Sequence, residues 1–184
     1  MTKRITAVLF LFVSLSACGG DDGTGVVTPA GILVISGSNQ TGTVAAALAS
    51  PLTVQVVDEG DNPMSGVSVS FSASQGSVSP ASAMTDAQGQ ASTTWTLGTT
   101  AGSQQASASV QGLNAGFSAT AEPGPADAVV VTAPDDRMPW QQTLQLSGSV
   151  VDQYDNPVTG EAITWSSDDD AIATYEAAMP GYEI

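Results

Sequence analysis

Between positions 52 and 121 apolar residues recur at every second position in a series of short runs. Leu52, Val54 and Val56 alternate with Thr53 and Gln55, and Val67, Val69 and Phe71 alternate with Ser68 and Ser70. Ala91, Thr93, Trp95 and Leu97 share one side of a third run, Ala106, Ala108 and Val110 of a fourth, and Phe117, Ala119 and Ala121 of a fifth. A period of two with one apolar side predicts strands of antiparallel sheets, one face turned to a core and one to water. No segment sustains the i, i+3, i+4 spacing of a helix. On this pattern Trp95, Phe71 and Phe117 are core residues rather than a platform for stacking sugars.

The joints between runs carry turn chemistry. In Asp61-Asn62-Pro63 the proline fixes its own φ and pushes Asn62 toward extended geometry, while Gly66 can supply a positive φ. Further breaks fall at Ser79-Pro80, Gln88-Gly89, Gly102-Ser103 and Gly112. About seven short strands with turn signals every 8–12 residues predict an all-β fold, an immunoglobulin-like β-sandwich. Cys18 is the only cysteine, so the sandwich has no internal disulfide.

The chain says nearly the same thing twice. VVDEGDNPMSGVSVSFSAS begins at Val56 and VVDQYDNPVTGEAITWSSD at Val150, 94 positions later. The copies share Val-Val-Asp, Asp-Asn-Pro and Gly, and elsewhere keep character, as in Val69 to Ile163 and Phe71 to Trp165. That offset suits one whole small domain rather than a solenoid repeat. Glu122-Pro123-Gly124-Pro125 marks a stiff joint between the units, residues 31–122 and 125–184. In the second unit Val129 and Val131 lie on the first strand, Leu144, Leu146 and Val150 on the second, and Ile163 and Trp165 on the third. Its residues end level with Gln90, so it is expected to be a second, incomplete Ig-like sandwich without the counterparts of about three strands.

Residues 1–17 stand apart. Lys3 and Arg4 precede an apolar run, residues 5–13, far shorter than the roughly 20 residues of a membrane span. The run closes on Leu15-Ser16-Ala17-Cys18, which resembles a bacterial lipoprotein signal. That resemblance implies a signal peptide over 1–17, cleavage before Cys18, and lipidation of Cys18. An ordinary secretory signal with an incidental cysteine is the alternative. Residues 18–30, rich in Gly, Asp and Thr, read as a flexible tether. Gly19 after the cysteine favours the outer membrane or cell surface by analogy with enteric bacteria.

Charge narrows the partners. The sequence has 18 acidic residues, three Lys or Arg and no histidine, and only Arg137 among the cations lies beyond Cys18. Such a surface repels phosphate backbones, so no nucleic-acid partner is expected, and the lipid anchor is left as the means of holding a membrane. Without His, Lys or a free thiol in the mature chain, the usual activators of a nucleophile are missing, and no enzyme activity is expected. Carboxylate-only chemistry would have to use acids that fall mostly in turns. No catalytic, cofactor-binding or metal residue is therefore singled out. Calcium is the sharper alternative, because Asp58, Glu59 and Asp61, their copies Asp152 and Asp155, and Asp168-Asp169-Asp170 offer hard oxygen ligands. None has the spacing of a calcium loop, and solvated turns fit them better. Asp135 and Asp136 beside Arg137 read as a surface cluster.

From Asp61 to Gly112 the sequence resembles a bacterial Ig-like domain of group 1, the module repeated in intimin and invasin. Thr85-Asp-Ala-Gln-Gly-Gln-Ala91 and Trp95-Thr-Leu-Gly-Thr-Thr-Ala-Gly102 are the more specific parts. After Pro125, Thr164-Trp-Ser-Ser-Asp and Ala171-Ile-Ala-Thr are similar to the group 2 bacterial Ig-like domains. The resemblance implies a non-catalytic envelope lipoprotein whose modules form a surface stalk or adhesion element. The other reading it leaves is an accessory module of a larger exported system, binding a carbohydrate or a protein ligand. The chain departs from intimin-like proteins in having a lipid anchor in place of a membrane barrel, and in lacking a lectin-like tip.

Overall fold

The structure, a computed structural model, describes residues 28–133 and 145–167. The first unit is a two-sheet sandwich. One sheet holds β1 (Gly31–Ser36), β3 (Leu52–Val57), β7 (Gln90–Thr96) and β5 (Ser77–Ser79), in that order. The other holds β2 (Gln40–Thr43), β9 (Leu113–Glu122), β8 (Gly102–Val110), β4 (Ser68–Ala73) and β6 (Ser82–Met84). The alternation in the sequence is what fills the space between them. Val54 and Val56 from β3 and Ala91 and Trp95 from β7 are buried against Val69 and Phe71 from β4, Ala106 and Ala108 from β8, and Phe117 and Ala119 from β9. Inner faces of two sheets interdigitate in this way in a sandwich, with no room for voids.

Trp95 is fully buried, and its indole N–H donates to the Gln75 carbonyl at 3.2 Å, so the ring's one polar atom is satisfied inside. Strands β8 and β9 form the longest ladder, closed by Gln111 and Gly112 with φ of 46° and 89°. Two successive positive φ values make the primed turn whose twist matches that of paired strands. Strand β2 is the exception to antiparallel order: it runs parallel to β9, Gln40 beside Ala119 through Thr43 beside Glu122. All residues of the buried core cluster lie between Val44 and Ala121, so the first unit builds its core without help from the second.

The second unit repeats the start of the first. Strands β10 (Ala128–Thr132), β11 (Ser147–Val151) and β12 (Pro157–Val158) pair antiparallel in sequence order. Asp127 N–H donates to Val151 O at 2.9 Å as Ala30 N–H does to Val57 O at 2.8 Å, and Pro157 lies beside Val151 as Pro63 does beside Val57. Val150 and Val151 are buried, whereas Val129, Val130 and Val131 remain about half exposed.

Two expectations for this unit need correction. Leu146 precedes β11 instead of lying within it, and is 47% exposed. Ile163 and Trp165 are not on a strand. In the first unit the equivalent β4 has ladder partners on both sides, β8 and β6, and among the described residues of the second unit no such partners occur. Their side chains nonetheless sit where a sandwich needs them, over β11. A Cβ built on Gly148 would come within 3.0 Å of Ile163 Cδ1 and 3.1 Å of Trp165 Cζ2. At the repeat offset Val54 has become Gly148 and Phe71 has become Trp165, a larger ring over a position that gave up its side chain.

Residues 1–27, with the expected signal peptide, Cys18 and most of the expected tether, lie outside the described residues, as do Asp135, Asp136, Arg137, Trp140, Leu144 and Asp168-Asp169-Asp170.

Candidate functional site

The fold concentrates polar groups at two corners, one of which lies where the two units meet. At the corner after β3, Asp58 turns its carboxylate back on the chain. Its Oδ1 accepts the N–H groups of Gly60 at 2.8 Å and Asn62 at 2.9 Å, and the Asn62 side-chain amide donates to both oxygens at 3.1 and 3.2 Å. Asp61 adopts φ of 59° to close the turn, a left-handed geometry that Asp tolerates better than most residues. The corner after β11 is built alike. Asp152 Oδ1 accepts from the backbone N–H groups of Tyr154 at 2.8 Å and Asn156 at 2.9 Å, the Asn156 amide donates to both oxygens, and Asp155 has φ of 63°.

The surroundings of the two corners differ. Asn156 reaches into the first unit, where its Nδ2 donates to the Thr99 carbonyl at 2.8 Å and its Oδ1 accepts the Ala101 N–H at 2.7 Å. One planar amide thus reads a carbonyl and an N–H two residues apart. The second oxygen of Asp152, Oδ2, also accepts the Gly124 N–H at 2.8 Å, tying the linker to the same point. Asp152 is left 2% exposed and Asn156 6%. The receiving loop is held from below by Gln104, itself buried: its Oε1 accepts the Gly98 N–H at 2.8 Å and its amide donates to Thr100 O at 2.8 Å. Gly98 is required there, because a Cβ would approach Gln75 Cβ to 2.8 Å. Among the described residues every buried side-chain polar atom has a partner.

Electrostatics follow the geometry. Burial pushes the Asp152 carboxyl up, but the Asn156 amide and the N–H groups of Gly124, Asn156 and Tyr154 together outweigh it and hold the pKa down at about 2. Asp58 is lowered too, by the Asn62 N–H first and then by the Asn62 side chain.

The expectation of solvated acidic turns therefore holds for Glu59, Asp61 and Asp155, which are exposed, and is corrected for Asp152, which is sealed by its hydrogen bonds. In both corners the aspartate oxygens are engaged by N–H donors, and no group of three or more acidic side chains that could hold a metal occurs among the described residues. Sequence reasoning missed Asn156, Gln104 and the loop at 99–101 as partners. The one signal available was that the Asp-Asn-Pro corner recurs in both units and that Gly-Thr-Thr-Ala-Gly lies within one of the more specific stretches of the resemblance, and these are what meet.

Residues 35–122 match the family model described as bacterial Ig-like domain (group 1). Among solved structures, the Escherichia coli adhesin FdeC is similar at 22% identity and a TM-score of 0.44, over 71% of this chain and 42% of that one. The D0-D1 domains of intimin are similar at 30% identity and a TM-score of 0.38, over 50% and 45%. Domains 4–9 of the surface layer protein SbsC are similar at 17% identity and a TM-score of 0.40, over 72% and 21%. The chain spans less than half the length of each of these three. No curated protein matches it significantly.

Proposed function

Residues 35–122 being a bacterial Ig-like domain of group 1, we propose that the chain is a non-catalytic element of the cell envelope, its modules set end to end as a surface stalk or adhesion element. The observation that carries this reading is the joint. A buried Asn156 amide bonded to Thr99 and Ala101, and an Asp152 carboxylate bonded to the linker at Gly124, fix one unit on the end of the next. Groups invested in this way serve position rather than reaction. The Cys18 lipid belongs to the same proposal, as the anchor from which the modules extend at the outer membrane or cell surface.

A second reading is favoured by the open face of the five-stranded sheet. Ser70, Ser72, Gln105, Ser107, Ser109, Asn114 and Thr120 present hydroxyls and amides, with Glu122 at the end of β9 as the one charge on the strands of this face, in a chain that is otherwise strongly acidic. Such a face suits a neutral polar ligand, a glycan or an uncharged protein surface. Binding of residues 28–124 to a glycan array and to intact host and bacterial cells separates the two readings. A spacer leaves every glycan and cell empty; a binding module retains a defined set, and loses it when Ser72 and Ser107 are replaced by Glu.

A further inference from the structure

The two corners are superposable in their bonding, yet only one is docked. Asp58 N–H donates to Asn62 O at 3.0 Å and Asp61 N–H to Asp58 O at 3.1 Å; the second corner repeats both, at 3.0 and 3.0 Å. Asp58 orients the Asn62 amide as Asp152 orients the Asn156 amide. Asn62 is exposed, and its Oδ1 meets no protein group among the described residues.

We propose that the corner at residues 58–62 is a second docking plug, and that its partner is the 99–101 loop of another copy of this Ig-like module, in a head-to-tail contact. The chemistry of the partner is given by the copy that is already docked: a backbone carbonyl and an N–H two residues apart, displayed at the end of a sandwich. Preorganisation favours the contact, because the amide held by Asp58 loses little rotamer freedom on docking. The charges are compatible. Glu59 and Asp61 flank Asn62, while the receiving loop, Gly-Thr-Thr-Ala-Gly, carries no charge to repel them. Without a covalent linker, two intermodule hydrogen bonds give weak association, with a Kd on the order of 10 mM. The inference rests on the joint, as the stalk reading does, and does not require that the modules adhere to anything.

Residues 28–124, which contain a complete core, carry both the plug and, once the second unit is removed, an uncapped loop. In NMR spectra of this fragment, raising the concentration from about 0.05 to about 2 mM, which brings roughly a tenth of the molecules into contact at that Kd, should move the amide signals of residues 60–62 and 99–101 together. Asn62→Ala should abolish movement at both ends while the other signals keep their places. The chain from residue 19 has its own loop capped by Asn156, so adding it unlabelled to dilute labelled fragment should move signals at 99–101 and not those at 60–62. Absence of concentration dependence overturns the proposal. So do shifts that persist in Asn62→Ala or that centre on the sheet edges β1 and β5.

Discussion

Truncating Trp95 would leave a void that the inward-facing side chains around it cannot fill, since the residue is fully buried and both sheets pack against it. Trp95→Ala is expected to cost about 3–5 kcal/mol in urea unfolding of the first unit. A loss under about 1 kcal/mol, the scale of surface substitutions, would place the ring outside the core. Asn156→Ala removes two intermodule bonds, each worth about 0.5–1.5 kcal/mol net. The equilibrium between docked and undocked units should shift roughly ten-fold at that scale, read as a broader distance distribution between spin labels on the two units. Acid should do the same through Asp152. Its pKa is lowered from 3.8 to about 2, so the stabilisation it gives is complete above about pH 4 and fades as pH falls through 2. The label distances should therefore be constant from pH 7 to 5 and spread only in strong acid. Spreading near pH 6 would show that some other group controls the joint.

Among the strands, β11 makes the sharpest demand on sequence. Gly148→Val drives methyl groups into Ile163 and Trp165, which already lie 3.0 and 3.1 Å from the Cβ position. Overpacking of this kind costs about 1–3 kcal/mol, and hydrogen exchange should quicken across 147–151 while the first unit is unchanged. The long central strands were legible because alternation survives in them: Val54 and Val56, Val69 and Phe71, Trp95, Phe117 all face inward as the period of two implies. Strands β5 and β6 have three residues each, too few for a period to show, and β1 reads Gly-Ile-Leu-Val-Ile-Ser without alternation. The joint was illegible for a different reason. Asp58 and Asp152 sit in nearly identical local sequence, and only the position of each corner, free or facing the end of another sandwich, decides which amide is docked. Gln104 likewise earns its place through a loop whose approach no spacing in the sequence announces.

At the scale of the molecule, the units differ in self-sufficiency. Residues 28–124 should give β-rich circular dichroism and one cooperative thermal transition, as small single domains do; a broad or stepwise melt would mean that the first unit depends on the second. The anchor is tested on the whole protein in its host. Cys18→Ser should abolish labelling by a radioactive fatty acid and release the protein from the membrane fraction, and persistent labelling would remove the lipid from the proposal.

The parallel pairing of β2 with β9 has a mechanical consequence. The chain enters this ladder at Gln40 and leaves it at Glu122, on the way to Gly124 and the Asp152 joint. Because the two strands run the same way, these points lie at opposite ends of the ladder, and tension along the chain slides one strand past the other. After β1 lets go, the bonds between Gln40–Thr43 and their partners at 119–122 must yield together instead of one after another, as they would when the β8–β9 hairpin is peeled from its open end. Stretched between residues 28 and 124, a single module should resist more force than that hairpin opened across its own strands, and the four residues of β2 would act as the latch that sets how hard the protein can be pulled.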